Sequence, residues 1–261
     1  MPLSTERKYI LPDSQSECLV SHSNSQPSSL GVIVTHPWGM LGGNMHNNVV
    51  RSICKWFQQL GITTLRFDFA GTQLGRGYTQ VNQVIEASNF LLNGTYLSGD
   101  GNNNSNNVRY ILLVGYSYGS IICGSASSQI PQCIGLIEVS PPFSVRHWLY
   151  CFNGNYHIEQ SKIRVELPKL FVIGSNDNFT SEETFLDIVN SMPIISTSND
   201  NSTTEATTTT TTTGAVLKDV DHFYNGGRSE KDLLNVIGHW ILKTYPQCSN
   251  NLQNLCTINE F

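Results

Sequence analysis

The most informative absences in this chain of 261 residues concern membranes and nucleic acids. No apolar run approaches the ~20 residues that a membrane-spanning helix requires. The first ten residues include Glu6, Arg7 and Lys8 and lack the apolar stretch of a signal peptide. Lysines and arginines are scattered, and the net charge of −5 at pH 7 favours neither nucleic acid nor an anionic membrane surface as a partner. We therefore expect a cytoplasmic protein that binds no nucleic acid and has no membrane span.

The seven cysteines show no CxxC spacing. An odd number of cysteines in a chain without a signal peptide is typical of free thiols in a reducing compartment. No cluster of His, Cys and Asp has the spacing of metal ligands, so we expect no metal and no other cofactor. Without a secretory route, four Asn-x-Ser/Thr sequences predict no glycan; they begin at Asn93, Asn103, Asn178 and Asn201.

Apolar runs of strand length alternate with segments of helical periodicity, which predicts an α/β fold with a mostly parallel sheet covered on both faces. The predicted strands span residues 31–35, 62–69, 110–114, 134–139, 170–173 and 215–220. The last predicted helix begins with a capping-box pattern at Ser229 and Asp232. The length fits a single domain over residues 1–261, with a core at about residues 31–245.

Two polar segments interrupt this alternation, at about residues 99–107 and 196–214. The first is rich in Gly and Asn, and the second is rich in Ser, Asn and Thr. Neither has enough apolar residues to offset the entropy cost of ordering, so both are predicted to be mobile surface inserts. Residues 143–166 are a candidate lid. Their aromatic side chains either line a pocket or pack on the edge of the core; they are Trp148, Tyr150, Phe152 and Tyr156.

The strand ending at residue 114 leads directly into the sequence Gly115-Tyr116-Ser117-Tyr118-Gly119. This Gly-x-Ser-x-Gly pattern is typical of a nucleophile elbow, a sharp strand-to-helix turn that presents a serine hydroxyl to a cleft. The two glycines fit such a turn, because a Cβ at either position would crowd the neighbouring backbone. Ser117 is therefore the candidate nucleophile.

A serine nucleophile needs a base, and the base needs an acid that orients it. Asp177 follows one predicted strand and His222 follows the last one, where parallel sheets have their ligand-facing loops. Each also has a plain structural interpretation, Asp177 as an Asx-turn residue and His222 as a solvated loop side chain. The order Ser, Asp, His, each after its own strand, favours the catalytic interpretation. Two rival acids are Glu138 and Asp221.

The loop after the first predicted core strand reads His36-Pro37-Trp38-Gly39-Met40-Leu41-Gly42-Gly43-Asn44. Acyl transfer needs N–H donors for the developing oxyanion, one from the residue after the nucleophile and one from this loop. The first donor is the backbone N–H of Tyr118. Pro37 has no N–H, so the backbone N–H of Trp38 is the predicted second donor. His36 is predicted to hold the loop through hydrogen bonds.

These motifs resemble those of the small α/β-hydrolases related to dienelactone hydrolase and to the serine peptidase/esterase branch of the superfamily. The matching pieces lie between about residues 31 and 245, in the family's order; they are His36-Pro37, residues 42–45, Asn47, residues 65–69, Gly71, residues 115–119, Gly174, Asp177 and residues 221–223. The resemblance implies an α/β-hydrolase fold with little or no cap domain. It also implies a nucleophile, acid and base at Ser117, Asp177 and His222, and an oxyanion hole at Trp38 and Tyr118.

Two departures from the family limit what the resemblance implies. Dienelactone hydrolases use a cysteine nucleophile, and this chain has Ser117 instead, so that reaction is not implied. Ala70 stands where the family usually has an arginine, which leaves the substrate contacts there open.

The sequence therefore predicts a serine hydrolase that cleaves a carboxylic ester, thioester or small amide of a small-molecule acyl substrate through an acyl-enzyme. Two alternatives remain. One is a non-catalytic scaffold of the same fold that binds a partner, and the other is an acyltransferase whose acceptor is not water. The sequence makes no prediction of the oligomeric state.

Overall fold

The computed structural model describes residues 6–22, 28–71, 75–97, 107–145, 153–193, 195–197, 207–209, 212–248 and 251–257. In chain order the strands are β1 (Arg7–Ile10), β2 (Glu17–Ser21), β3 (Leu30–Thr35), β4 (Thr63–Phe67), β5 (Tyr110–Tyr116), β6 (Cys133–Val139), β7 (Lys169–Asn176), β8 (Ile195–Thr197), β9 (Thr207–Thr209) and β10 (Thr212–Asp221). The α-helices are α1 (Asn48–Gln59), α2 (Tyr78–Leu92), α3 (Tyr118–Ser127), α4 (Gly154–Lys162), α5 (Glu182–Asn190) and α6 (Gly227–Thr244). Short 3₁₀ helices span Gly39–Leu41, Thr95–Leu97, Pro246–Cys248 and Leu252–Thr257.

The main sheet has eight strands in the order β1-β2-β4-β3-β5-β6-β7-β10. β2 pairs antiparallel with both β1 and β4, and the remaining neighbours pair in parallel. The predicted mostly parallel sheet is therefore confirmed. Because parallel strands end at the same edge, the loops after β3, β5, β7 and β10 meet there. None of the described residues forms a separate cap domain over that edge.

The central strands are buried on both faces of the sheet. Val32 and Leu112 pack in one apolar cluster with α1 and α6, whereas Ile33 and Leu113 pack in another with α2 and α3. Successive strand residues point to opposite faces, so both sets of alternate positions must be apolar. This explains the near-continuous apolar runs of the sequence. A third cluster joins α4 and α5 to β7.

The buried core is wider than the predicted limits of residues 31–245. β1 and β2 add two antiparallel strands before residue 31, and their short, partly charged sequences contain no apolar run. At the other end, Leu255 and Cys256 are buried in the same cluster as α1 and α6. The carbonyl oxygen of Cys256 accepts a 2.7 Å hydrogen bond from the N–H of Ser29, which ties this segment to the start of β3.

Two further sequence expectations need correction. The capping box at Ser229 is wrong, because α6 already begins at Gly227 and its N-cap residue, Gly226, provides no side-chain hydrogen bond. The polar tract at residues 196–214 includes strand residues, since β8 pairs with β9 and β10 begins at Thr212. Threonine is β-branched and fits an extended backbone well, which accounts for strands in so polar a tract.

Most of the other insert and residues 146–152 of the candidate lid lie outside the described residues. Of the insert at 99–107, only Asn107 is described. Of the lid aromatics, Trp148, Tyr150 and Phe152 are outside, and Tyr156 lies on α4 with its ring 5.4 Å from that of Tyr78.

A β-bulge interrupts β10 near its end. β10 keeps its register with β7 from Thr212 to Leu217 and then shifts before Asp221. Inside the bulge, Asp219 has a positive φ of 60°, and its N–H donates a 2.9 Å hydrogen bond to the hydroxyl of Ser175. Bulges commonly redirect a side chain close to a functional site, and this one directly precedes His222.

Candidate active site

Ser117 occupies the turn between β5 and α3. Its backbone has a φ of 55° and a ψ of −122°, a region that costs energy for any residue with a Cβ. Neighbouring hydrogen bonds hold this conformation, because the N–H of Ser117 donates to the carbonyl of Val139 at 2.8 Å. The carbonyl of Ser117 in turn accepts from the N–H of Ser120 at 2.9 Å. The serine is therefore fixed at the edge where the parallel strands end.

The two glycines of the elbow are required by close backbone contacts. A Cβ at Gly115 would overlap the backbone of Gly119 and Ser120. A Cβ at Gly119 would overlap the hydroxyl of Thr35 and the carbonyl of His36. The elbow thus packs directly on the end of β3, where the hydroxyl of Thr35 also donates a 3.0 Å hydrogen bond to the carbonyl of Gly119.

The structure brings Ser117, Asp177 and His222 together. The Nε2 atom of His222 lies 3.0 Å from the Oγ atom of Ser117, and its Nδ1 atom lies 2.8 Å from the Oδ2 atom of Asp177. A carboxylate only accepts hydrogen bonds, so Nδ1 carries the proton towards Asp177 and Nε2 is left to accept the hydroxyl proton of Ser117. All three side chains are largely buried.

Asp177 is held by backbone amides as well as by the imidazole. Its Oδ1 atom accepts hydrogen bonds from the N–H of Phe179 at 2.8 Å and of Thr180 at 3.2 Å. The side chain of Asp177 is fully buried, and these donors compensate the lost hydration of its charge. The residue therefore forms an Asx-turn and contacts the imidazole of His222 at the same time.

Two aromatic residues that the sequence analysis did not single out surround His222. The ring of Phe179 lies 4.3 Å from the imidazole, centre to centre, and covers one of its faces. The hydroxyl of Tyr116 donates a 2.9 Å hydrogen bond to the main-chain carbonyl of His222. Tyr116 directly precedes Ser117, and Phe179 lies two residues after Asp177; this closeness in the sequence was the available signal for them.

Neither rival acid contacts the imidazole. The carboxylate of Asp221 accepts hydrogen bonds from the backbone N–H groups of Phe223 and Asn225, at 3.1 and 3.4 Å. Glu138 is part of β6, and its side chain packs against α3, where a Cβ at Gly124 would come 2.7 Å from its Oε1 atom. Burial raises the pKa of Glu138 to about 8.

His36 bonds its own loop and the end of β4. Its Nδ1 atom lies 2.5 Å from the carbonyl oxygen of Pro37, and its Nε2 atom accepts the N–H of Phe69 at 3.0 Å. Burial lowers the pKa of His36, which favours the neutral ring that these two bonds require.

The two expected oxyanion donors belong to the start of α3 and to the loop after β3. Tyr118 is the first residue of α3. Trp38 lies in the loop after β3, and its carbonyl accepts hydrogen bonds from the N–H groups of Leu41 and Gly43, at 3.0 and 3.1 Å. This turn and the contact between Thr35 and Gly119 hold the loop beside the elbow.

The described part of the chain was also searched for metal ligands, membrane-spanning helices and disulfides. No group of three or more His, Cys, Asp or Glu side chains among the described residues is arranged to hold a metal ion. None of the described helices is both long enough and apolar enough to cross a membrane. The six described cysteines are buried and free, while Cys151 lies outside the described residues.

Comparison of the sequence with curated proteins finds a relative of unknown function. An uncharacterised protein from Rickettsia prowazekii is 27% identical over 170 residues, which cover 64% of this chain and 65% of that protein. The chain therefore matches less than two thirds of the relative's length. No protein-family model matches the chain.

Comparison with solved structures is more extensive. An α/β serine hydrolase homologue from Coxiella burnetii aligns with a TM-score of 0.65 and 20% identity, over 91% of this chain and 97% of that one. An α/β serine hydrolase without a lid from Xanthomonas campestris aligns with a TM-score of 0.62 and 18% identity, over 93% of this chain and 97% of that one. A dienelactone hydrolase from Anabaena variabilis aligns with a TM-score of 0.65 and 10% identity, over 93% of this chain and 99% of that one. Together with the strand order, these similarities establish that the chain has the α/β-hydrolase fold.

Proposed function

We propose that this protein is a serine hydrolase that cleaves a carboxylic ester, thioester or small amide. The observation that carries the proposal is the continuous contact from Ser117 through His222 to Asp177, with distances of 3.0 and 2.8 Å. This arrangement matches the needs of nucleophilic catalysis, in which the hydroxyl has an adjacent base and the base has an orienting acid. Solved neighbours described as serine hydrolases add support.

In the first step, the Oγ atom of Ser117 attacks the carbonyl carbon of the substrate, and Nε2 of His222 accepts the hydroxyl proton. The carbonyl π bond breaks and its electron pair moves to the oxygen. Asp177 stays ionised, keeps the imidazole in the required tautomer and stabilises the positive charge that develops on it.

Backbone N–H groups of Tyr118 and Trp38 would stabilise the oxyanion of this intermediate. Tyr118 begins α3, and the first N–H groups of a helix point away from it without partners inside the helix. The helix dipole also places partial positive charge at this end, close to where the oxyanion forms.

In the second step, His222 gives its proton to the leaving alcohol, thiol or amine, and the acyl group remains on Ser117. Water then attacks the acyl carbon while His222 accepts one of its protons. The acid product leaves and Ser117 regains its proton. Each carboxylic ester thus gives one acid and one alcohol, with no change of oxidation state.

A fluorophosphonate probe tests the nucleophile directly. We expect covalent labelling of the wild-type protein at Ser117 and no labelling of Ser117→Ala. Ser125→Ala is the matched control, because Ser125 is on the same helix and its buried hydroxyl makes no hydrogen bond to any described residue. Mass spectrometry of the labelled peptide identifies the modified residue.

The proposal fails if the folded wild-type protein is not labelled, or if Ser117→Ala is labelled as fast as the wild type. The scaffold interpretation would then replace it. Labelling of Ser125→Ala at the wild-type rate excludes a general effect of removing a serine from α3.

A further inference from the structure

We infer that Tyr116 is a positioning residue for the proposed base, because its hydroxyl holds the main chain of His222 where the imidazole reaches Ser117. The inference rests on the proposed function and adds to it a residue outside the set of nucleophile, acid, base and oxyanion donors. Tyr116 was present in the elbow motif only as an unspecified position between Gly115 and Ser117.

The position of Tyr116 in the fold gives it two connections. Its main chain continues directly into the elbow and so carries Ser117. Its side chain is buried on the sheet face that α1 and α6 cover, and its hydroxyl donates a 2.9 Å hydrogen bond to the carbonyl of His222. Tyr116 thus connects the nucleophile, which follows it directly, to the main chain of the proposed base, which lies 106 residues later in the chain.

The rings around this bond limit its movement. The ring of Tyr116 lies 5.7 Å from the imidazole of His222 and 6.2 Å from the ring of Tyr224, centre to centre. Tyr224 is fully buried, and its hydroxyl lies 3.2 Å from that of Ser140. The loop of His222 therefore packs against Tyr116, and its own Tyr224 anchors it in the same apolar cluster.

Asp177 and Tyr116 restrain different parts of His222. Asp177 contacts the ring and sets its tautomer and rotation, whereas Tyr116 contacts the main chain and sets the position of the residue. Loss of the hydroxyl would leave a buried carbonyl without this donor, and a buried polar group without a partner favours rearrangement. Since reaction requires the serine and the imidazole in close alignment, a small shift of the loop slows the chemical step.

The test compares Tyr116→Phe with Tyr245→Phe. The hydroxyl of Tyr245 is also buried and donates a 3.0 Å hydrogen bond to a main-chain carbonyl, that of Ile134, near the start of β6. Both variants lose one buried hydroxyl-to-carbonyl bond, but only one of these bonds lies at His222. The readouts are the melting temperature and the two constants of fluorophosphonate inactivation, kinact and KI.

We expect Tyr116→Phe to lower kinact by about 10- to 100-fold with KI unchanged. Tyr245→Phe should keep the wild-type kinact and lose a similar amount of melting temperature. Partial unfolding reduces the amount of protein that is labelled but leaves kinact of the folded fraction unchanged, so the two effects separate.

A wild-type kinact for Tyr116→Phe overturns the inference, and so does an equal fall of kinact in both variants. Either result leaves the proposed function standing, provided that the wild-type protein is labelled at Ser117. Absence of labelling in the wild type is the different result that overturns the proposed function and this inference with it.

Discussion

Asp177 contacts His222 with one carboxylate oxygen and holds its own loop with the other. Oδ2 lies 2.8 Å from Nδ1 of the imidazole, and Oδ1 accepts the N–H groups of Phe179 and Thr180. The two interpretations of Asp177 that the sequence left open, turn residue and catalytic acid, are therefore compatible. The turn fixes the carboxylate, and the fixed carboxylate can orient the base.

Asp177→Asn should leave the fold intact and remove most of the reactivity. The amide can still accept hydrogen bonds from the loop, but it carries no charge and can donate to Nδ1, which favours the wrong tautomer of His222. We expect kinact for the fluorophosphonate to fall on the order of 10⁴-fold, with little change in circular dichroism.

Asp221→Asn is the control for that experiment, because Asp221 is adjacent to His222 and bonds only its own turn among the described contacts. It should keep kinact within a few-fold of the wild type. A larger loss of kinact in Asp221→Asn than in Asp177→Asn would show that Asp221, and not Asp177, orients the base.

Gly119→Ala should destabilise the elbow. The added methyl group would overlap the hydroxyl of Thr35 and the carbonyl of His36, and backbone atoms cannot move aside cheaply. We expect a loss of about 1–3 kcal/mol in the free energy of unfolding, together with slower labelling. Gly227→Ala is the matched control at the start of α6, where a Cβ meets no atom within 4 Å. Equal stability of the two variants in urea titrations would contradict the prediction.

Glu138→Gln should stabilise the protein more at pH 8 than at pH 5. Burial raises the pKa of Glu138 from 4.5 to about 8, and the charge of Lys169 opposes this only in part. Between these two values the unfolded chain has released its proton and the folded protein has kept it, so the stability of the wild type falls as pH rises. Glutamine does not titrate, and the variant avoids this loss.

The expected difference between Glu138→Gln and the wild type grows by about 2–5 kcal/mol across that window and is constant above it. Melting temperatures at pH 5, 6, 7 and 8 measure it. A difference that does not change with pH would show that Glu138 titrates in the folded protein as it does in the unfolded chain.

Leu255→Ala should destabilise the whole fold, although Leu255 lies ten residues beyond the predicted core. Its side chain is fully buried against the face that α1 and α6 cover. Truncation of a buried leucine costs about 2–5 kcal/mol. Gln253→Ala, at an exposed position of the same short helix, should stay within about 0.5 kcal/mol of the wild type. A near-neutral Leu255→Ala would place this segment outside the cooperative core.

The central strands could be predicted from the sequence because burial on both faces demands continuous apolar runs. β3 and β5 are examples, and each is close to its predicted bounds. β1 and β2 have no apolar run that would predict them, because short antiparallel strands at or next to the sheet edge can be partly polar, as Arg7 and Glu17 are. The start of α6 was misjudged because Gly226 and Gly227 precede the side-chain pattern that usually marks a helix start.

Some features of the candidate site could likewise be predicted from the sequence, and others could not. The rule that functional loops follow parallel strands leads to Ser117, Asp177 and His222, because strand ends are visible in the sequence. The bond from Tyr116 to His222 depends on where two distant residues meet in the fold, and no local pattern encodes it.

The β-bulge in β10 affects how the chain tolerates insertions and deletions. Upstream of the bulge, the threonine-rich tract can change in length without consequence for His222, because pairing of Ala215 and Leu217 with β7 resets the register. Downstream of Leu217, β10 uses four residue steps to reach Asp221, whereas β7 uses two to reach its partner Asn176. Removing one residue between Leu217 and Asp221 would shorten this bulge and change the direction in which the strand end presents His222 to Ser117.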